Sequence, residues 1–451
     1  MNSLIKSPKS KINSKIGVLS NLISYLEEKK IEYCFLGDQE KSIINYESDF
    51  DFYINIDQKK RLVDFIKVFC EKHNLKIANL FQHEFNSFLF VITYENEKNN
   101  IEIVHLDFCY EYTRGNRRIF EFKNKNFQTT KIVNKINAKV LTPKSAFIYY
   151  LLKKILKLNI NEHELNYVFE LSKKKGVLEN HELSNYFSDS TINDILFAIK
   201  NEDIIFFKGK INFFKKEILG NKRIKLRDSF KIIDRILFRF FHPTGIFLII
   251  LGCDGVGKTS LINMFIKPIS LNHAYLFRKY KYFHFAPFSK YQSKNPKTSL
   301  PTKEQPYSFI ISLIKIVYLY FVFLFGYIFT TKLLLKKSTV VIIDRYFYDI
   351  LVFPSRYKIK LPSMIIKFFT KIVPKPDLTF IITANNQQIY DRKKEIEFNK
   401  IEEIQNKYIS LKKFIGDTFI IDNSKDLYTC DNSMKKIIIN FMKSKFNKIN
   451  F

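Results

Sequence analysis

The sequence predicts an α/β protein: a C-terminal parallel sheet flanked by helices, preceded by an α+β unit and a helical segment. Three observations carry that expectation. The apolar run Ile246–Leu251 ends in a glycine-rich turn, and Leu261, Ile262, Phe265 and Ile266 follow at helical spacing. Beyond them, β-branched runs alternate with helical stretches, the order that a parallel sheet with helices on both faces imposes. Upstream, short alternating strands give way after Thr142 to helical periodicity.

Length and composition bound the rest. The chain's 451 residues exceed one ordinary domain, and the pattern divides them into 1–141 (α+β), 142–240 (helical, with a linker) and 241–451 (parallel sheet). An apolar share of 46% is ample for real cores. A formal net charge of +30 admits nucleic acid or an anionic membrane as partner. The lysines, however, are spread through every segment of a chain rich in Ile, Asn and Phe and without Trp. A general compositional bias explains the charge better than a nucleic-acid stripe, so nucleic acid is not the favoured partner. Cys34, Cys70, Cys109, Cys253 and Cys430 are scattered with no C-x-x-C pair, which argues against a disulfide framework and a structural zinc site. No continuous apolar stretch precedes Gly17, so no signal peptide is expected and a reducing cytoplasm fits the chain.

The elements follow in order. Val18–Lys30 reads as an amphipathic helix (Leu19, Leu22, Ile23, Leu26), followed by strands at 33–38 and 49–56. A helix over Lys59–His73 and strands around Phe88–Tyr94 and Ile101–Tyr110 complete the α+β unit. Three helical stretches lie between Thr142 and about Lys200. Residues 201–244 are basic and apolar with little punctuation and are expected to connect the parts, His242-Pro243 opening the last region. There, strands are expected at Phe247–Leu251, Thr339–Ile343, Leu378–Ile382 and Phe419–Ile421. The stretch from Asn295-Pro296 to Gln305-Pro306 is the expected mobile loop. The charge-free run Ile316–Phe329 falls short of the roughly 20 apolar residues a membrane span needs. A buried helix is the leading expectation there; its rival is a peripheral membrane contact.

Chemistry concentrates behind the first strand of the last region. Gly252-Cys253-Asp254-Gly255-Val256-Gly257-Lys258-Thr259 fits the phosphate-binding pattern G-x-x-x-x-G-K-[ST] in full, with Ser260 next. Its glycines let backbone N–H groups converge on a polyphosphate at a helix N-terminus. Lys258 would reach the outer phosphates of ATP and the Thr259 hydroxyl would take one position on Mg²⁺. VVIIDRY at 340–346 ends a buried strand in Asp344, placed to serve beside the same Mg²⁺, and in Arg345, a planar fork for phosphate or carboxylate. The strand in PKPDLTFIIT is followed by a helix bearing Arg392, Lys393 and Lys394. Asp422-Asn423-Ser424 closes the last strand, a position from which to line a base pocket.

GCDGVGKTS, IIDRY, PDLTFII with a basic helix and FIIDNS, in this order, resemble the thymidylate kinase family of P-loop nucleoside monophosphate kinases over about residues 245–451. The resemblance implies a five-stranded parallel sheet, a homodimer, and Mg²⁺-ATP-dependent phosphoryl transfer to a nucleotide or other phosphorylated small-molecule acceptor. It implies that Lys258 and the backbone of Gly255–Thr259 hold the donor phosphates, that Asp254 approaches the acceptor's sugar, that Arg345 holds the acceptor's phosphate, and that Arg392 belongs to a closing lid. The acceptor side departs from the family. Leu251 stands where an acid is usual, YFHFAPF (His284, Pro287) replaces an arginine-bearing segment, and FYDILVFPSRYK offers Asp349 and Arg356 for the usual serine and glutamine. This variant is similar to kinase-like proteins associated with bacterial surface-polysaccharide loci. The donor is thereby indicated and the acceptor left open.

In the first region, Asp49 and Asp51 alternate onto one face of a strand, and IEIVHLDF offers Asp107 as a third carboxylate. Such a trio suits two divalent metals clamping an in-line displacement. With Gly37 at the preceding strand end, it resembles the nucleotidyltransferase superfamily over about residues 15–200. Asp38 departs from the pattern, an acid where a small triphosphate-contacting residue is expected. A degenerate, substrate-binding version of the fold is the leading expectation, with active nucleotidyl transfer its near rival and a chance match the third reading. A nucleotide-dependent regulatory module and a nucleic-acid end-processing enzyme remain open alternatives to a small-molecule kinase.

Overall fold

The computed structural model describes residues 14–449 apart from 37–48, 57–58, 99, 133–135, 159–161, 179–180, 223, 267–275, 288–304 and 395–396. The chain forms two compact units, Met1–Phe238 with Ile449–Phe451, and Arg239–Lys448.

The front unit is built on strands β1 (Tyr33–Phe35), β2 (Phe50–Ile54), β3 (Lys76–Glu84), β4 (Ser87–Glu95) and β5 (Ile101–Cys109), a hairpin of β6 (Tyr112–Arg114) and β7 (Arg117–Phe120), and β8 (Phe127–Ile132) and β9 (Ile136–Leu141). Seven of them form one mixed sheet in the order β3-β4-β5-β2-β1-β9-β8, with β2–β5 and β1–β9 parallel. Helices α1 (Lys15–Glu28) and α2 (Lys59–Lys72) bury the stripes their periodicity indicates, Leu19, Leu22 and Leu26 in the first and Leu62, Ile66 and Phe69 in the second. The helices that follow are α3 (Pro143–Lys157), α4 (Glu162–Ser172), α5 (Asp189–Lys200) and α6 (Ile204–Asn221). Thr142 caps α3 and Pro143 opens it. These helices share one core with Cys34, Leu36, Tyr53 and Phe122 of the sheet side, so the helical stretch is packed into the front unit.

Two expectations change here. Residues 201–244, expected as a connection, are largely helical, in α6 and α7 (Leu226–Phe241). In α6 the buried stripe Phe207, Ile211, Phe214, Ile218 is regular, but phenylalanines and lysines on the other faces blur it in sequence. Strands β3 and β6–β9 were not expected either; in β8 and β9, FQTTKI and INAKVL, amides and lysines interrupt the apolar pattern.

The second unit is a five-stranded, all-parallel sheet of β10 (Ile246–Leu251), β11 (Lys279–His284), β12 (Thr339–Asp344), β13 (Leu378–Thr383) and β14 (Thr418–Asp422), in the order β11-β12-β10-β13-β14. β10 and β12 are buried at every position, which is why IFLIIL and TVVIID read as unbroken apolar runs. The edge strand β11 was not expected: KYKYFH alternates lysine with aromatics and buries fully only Phe283. The helices are α8 (Lys258–Ile266), α9 (Phe309–Gly326), α10 (Lys332–Lys336), α11 (Asp349–Val352), α12 (Ser363–Ile372), α13 (Asn386–Arg392), α14 (Phe398–Ser410) and α15 (Leu427–Asn447). Asn385 and Asp426 cap α13 and α15 with their side chains.

Between α9 and α10 the chain stays helical through one wide turn, Tyr327–Thr331, in which the Lys332 N–H reaches back to the Tyr327 carbonyl. The expectation of a buried helix over Ile316–Phe329 is corrected. Its inner stripe, Ile316, Leu319, Phe323 and Gly326, packs on the unit, but Tyr318, Phe321, Phe325, Ile328 and Phe329 face solvent. The loop expected at 295–306 falls mostly outside the described residues.

Candidate phosphate-binding site

β10 delivers the glycine-rich loop to the C-terminal edge of the sheet, where α8 begins at Lys258. The loop's path requires its glycines. Gly252 has φ of 146°, and a Cβ there would lie 2.5 Å from the Ile382 carbonyl. Gly257 has φ of 91°, and a Cβ would lie 2.4 Å from Asn423 Nδ2 and 3.5 Å from Arg392 Nη1. Asn423 is buried at the end of β14 and donates to the Val256 carbonyl at 2.8 Å. It therefore braces the loop, a role the sequence did not indicate for a residue expected to line a base pocket. Arg392, at the end of α13, stands over the loop's last glycine and is exposed.

Lys258 is buried, and its ammonium donates to the Gly252 and Cys253 carbonyls at 2.8 and 2.9 Å. Cys253 and Val256 are buried beneath the loop, and burial pushes the Cys253 thiol up to about 11, so it stays protonated. Thr259 and Ser260 are exposed on the first turn of α8.

The acceptor-side residues meet at Asp254. Its Oδ1 accepts from Arg345 Nη2 and its Oδ2 from Arg356 Nη2 at 2.6 Å. Burial would raise this carboxyl, but Arg345, Lys258, Arg356 and Lys393 outweigh it and hold the pKa at about 2. Arg345 sits at φ of 58°, a left-handed conformation that costs of order 1–3 kcal/mol for a non-glycine residue. This bend, immediately after β12, turns its guanidinium towards the loop.

Asp349 does not face the site as expected. It is fully buried, and its oxygens accept from Arg356 Nη1 at 2.9 Å, Tyr357 Oη at 2.7 Å and Tyr408 Oη. With all these donors on one carboxylate, Asp349 positions Arg356, whose guanidinium also stacks 4.5 Å over Phe353. His284 ends β11 in register with Asp344, its Nδ1 3.7 Å from Asp344 Oδ2. An open cleft of about 760 Å³ lined by Pro306–Phe309, Pro354, Ser355 and Ile359–Pro362 includes no loop residue and is separate from the cradle.

The residues fit a magnesium ion. Asp344 Oδ1 is buried without a hydrogen-bond partner at the end of β12, beside β10 in register with Ile250. Burial would raise the Asp344 carboxyl, but His284, Lys258 and Arg345 draw it below the ordinary value, so it is ionised. One carboxylate, a hydroxyl such as that of Thr259 and a nucleotide's own phosphates are a usual set for Mg²⁺.

The front unit's carboxylates are otherwise engaged. Asp51 and Asp107 are direct partners across β2 and β5, which places them together. Lys153 on α3 donates to Asp51 Oδ2 at 2.7 Å, Ser87 Oγ donates to Asp107 Oδ1 at 3.2 Å, and Asp49 Oδ1 lies 2.7 Å from His105 Nδ1. Burial and the Asp51 charge raise the Asp107 carboxyl, with Lys153 pulling against them. Among the described residues, no group of three or more His, Cys, Asp or Glu side chains is placed to hold a metal ion. The expected metal trio Asp49, Asp51 and Asp107 is not such a group, and a lysine and a histidine partner two of its members. Gly37 and Asp38 lie outside the described residues.

No protein-family model matches this chain, and no curated protein matches its sequence. Among solved structures it is similar to thymidylate kinase from Ehrlichia chaffeensis, at 17% identity and a TM-score of 0.29, over 43% of this chain and 98% of that one. It is also similar to thymidylate kinase from Candida albicans, at 16% identity and a TM-score of 0.31, over 44% of this chain and 92% of that one. At these scores the likeness does not bear on the chemistry; the residues of the site do.

Proposed function

We propose that the second unit is an ATP-dependent kinase that transfers the γ-phosphoryl group to a nucleotide or another phosphorylated small molecule. The observation that carries this reading is the convergence of Arg345 and Arg356 on Asp254. A loop that only binds or hydrolyses ATP needs no pair of guanidiniums fixed beside it. Two guanidiniums held at the loop's acidic residue suit a second anionic substrate placed against the first.

The roles follow from position. Lys258 exchanges the Gly252 and Cys253 carbonyls for the outer phosphates, to which the backbone N–H groups of Gly255–Thr259 also donate. Asp344 and the Thr259 hydroxyl would hold Mg²⁺, which when bound neutralises charge on the transferred group. Arg345 and Arg356, held on the two oxygens of Asp254, orient the acceptor's phosphate, and Asp254 accepts from a hydroxyl of the acceptor. An acceptor phosphate oxygen attacks the γ-phosphorus as the bond to the β-bridging oxygen breaks, and ADP leaves. Arg392 answers the charge on the group in transfer. Catalysis on this reading is positioning and charge neutralisation. A link with surface-polysaccharide synthesis belongs to the proposal and is supported by the resemblance of the acceptor-side motif alone.

For the front unit we propose a nucleotidyltransferase-like fold kept without two-metal chemistry. The Lys153–Asp51 ion pair supports this, because a metal would have to displace the ammonium.

The test is transfer of label from γ-³²P-ATP to a panel of nucleoside monophosphates and phosphorylated sugars and polyols. Lys258→Ala should lower transfer by at least about 10²-fold, the loss typical of removing one charge-stabilising donor. Full activity in that variant, or release of label to water alone across the panel, overturns the proposal.

A further inference from the structure

The second unit carries an apolar surface that its site does not use. The helix Phe309–Lys336 has an 18-residue window of mean hydropathy 2.3, of which only 28% is buried. Its outer face shows Ile310 (69% exposed), Ile314 (64%), Tyr318 (60%) and Phe329 (62%). Beside it, α12 presents Met364 (81%) and Phe368 (59%) one turn apart. The two helices pack on each other through Tyr320 and Phe369, whose ring centroids are 5.8 Å apart.

The segments that form this surface carry cations and no acids. No acidic residue occurs between Glu304 and Asp344, nor between Asp349 and Asp377. Lys332, Lys337, Lys367 and Lys371 are exposed on the same segments. A bilayer with anionic headgroups complements an apolar face rimmed by cations. A second copy complements it less well: a two-fold contact through this face would set lysine rims against each other.

Length alone would let the helix span a bilayer, but packing forbids it. The Phe323 ring is wedged against Phe285, Tyr346 and Phe347 at centroid distances of 5.0, 4.7 and 5.7 Å. Gly326 lies so close to Pro287 that a Cβ would come within 3.0 Å of its Cδ. The inner stripe cannot leave the core, so only the outer face is available to lipid. We propose that the second unit docks on an anionic lipid bilayer, laying the outer face of α9 and the Met364–Phe368 stripe of α12 into the headgroup boundary.

Flotation of the full chain with vesicles tests this directly. Binding is expected to phosphatidylcholine–phosphatidylglycerol vesicles, weaker binding to phosphatidylcholine alone, and loss of binding as salt rises. Ile310→Glu/Ile314→Glu should abolish it. Lys367→Glu/Lys371→Glu, which leaves the apolar face intact, should weaken it at least about tenfold. All four positions are remote from the core stripe, and circular dichroism confirms folding. Three results would overturn the proposal: no binding by wild type, equal binding by the charge-reversed variant, or a wild-type dimer in sedimentation that the glutamate pair converts to monomer.

Discussion

Asp349 offers the sharpest quantitative test of the site, because it is a fully buried carboxylate whose role is to hold other residues. Removing it as Asp349→Ala strands one end of Arg356 and two tyrosine hydroxyls, Tyr357 and Tyr408. Breaking a buried ion pair from one side costs about 3–5 kcal/mol. Arg356 keeps Asp254 at 2.6 Å, which favours the lower figure. Each orphaned hydroxyl adds about 1 kcal/mol, though terms within one network do not sum fully. A loss of ~4 kcal/mol is expected, equivalent to a Tm fall of roughly 8–16 °C for a unit of this size. Tyr408→Phe, which removes one donor only, should cost ~1 kcal/mol. Thermal and urea unfolding by far-ultraviolet circular dichroism reads both, which suits a chain without Trp. The isosteric Asp349→Asn should raise KM for the acceptor more than it lowers kcat, since Arg356 loses its clamp and the loop does not. If Asp349→Ala lowers Tm no more than Tyr408→Phe, the carboxylate is not the hub of this network.

Two further outcomes follow from the same geometry. Asp254 has a folded pKa of about 2 against an ordinary 3.8. The folded value is the lower, so its contribution is complete above about pH 4 and is lost as pH falls through about 2. Wild type should lose ~1 kcal/mol more than Asp254→Asn between about pH 6 and pH 3, and equal slopes would refute the assignment. Gly257→Ala would force a side chain into a left-handed position 2.4 Å from Asn423 Nδ2. With ~1–2 kcal/mol of backbone cost and the Asn423 brace displaced, ATP affinity by calorimetry should fall at least about tenfold; unchanged affinity would show that the loop has room.

Much of the second unit was legible in the sequence because buried parallel strands leave a continuous signal. Strands β10, β12 and β13 bury both faces, so their apolar runs are uninterrupted and their boundaries fall where the runs end. β11 buries one residue fully; its alternation of lysine with aromatics fits an edge strand, but it lacks the continuous apolar run that marks the buried strands. The phosphate loop was legible because its geometry demands glycine at fixed spacing. Its brace was not: Asn423 reaches Val256 across 167 positions, a contact that only the order of the strands creates. Asp349 misled for the same reason. Its place after Asp344-Arg345 suggested a pocket residue, and its partners Tyr357 and Tyr408 come from elements whose approach no local pattern announces. In the front unit, spacing brought Asp51 and Asp107 together as expected, while Lys153, the cation that engages Asp51, lies on a helix read only as core.

The wide turn at Tyr327–Thr331 has a consequence for the length of the chain. Inner positions Ile316, Leu319, Phe323 and Gly326 follow a regular helical step, but the next are Thr331 and Leu335. One residue too many separates the two series, and the wide turn absorbs it. Leu335 therefore still arrives with its carbonyl 3.0 Å from the Gly245 N–H, at the doorstep of the strand that carries the phosphate loop. The surplus residue is slack taken up locally, so this stretch can lose one residue within the turn and keep both of its ends in phase. A loss anywhere else along the helix would rotate every later contact by roughly 100°.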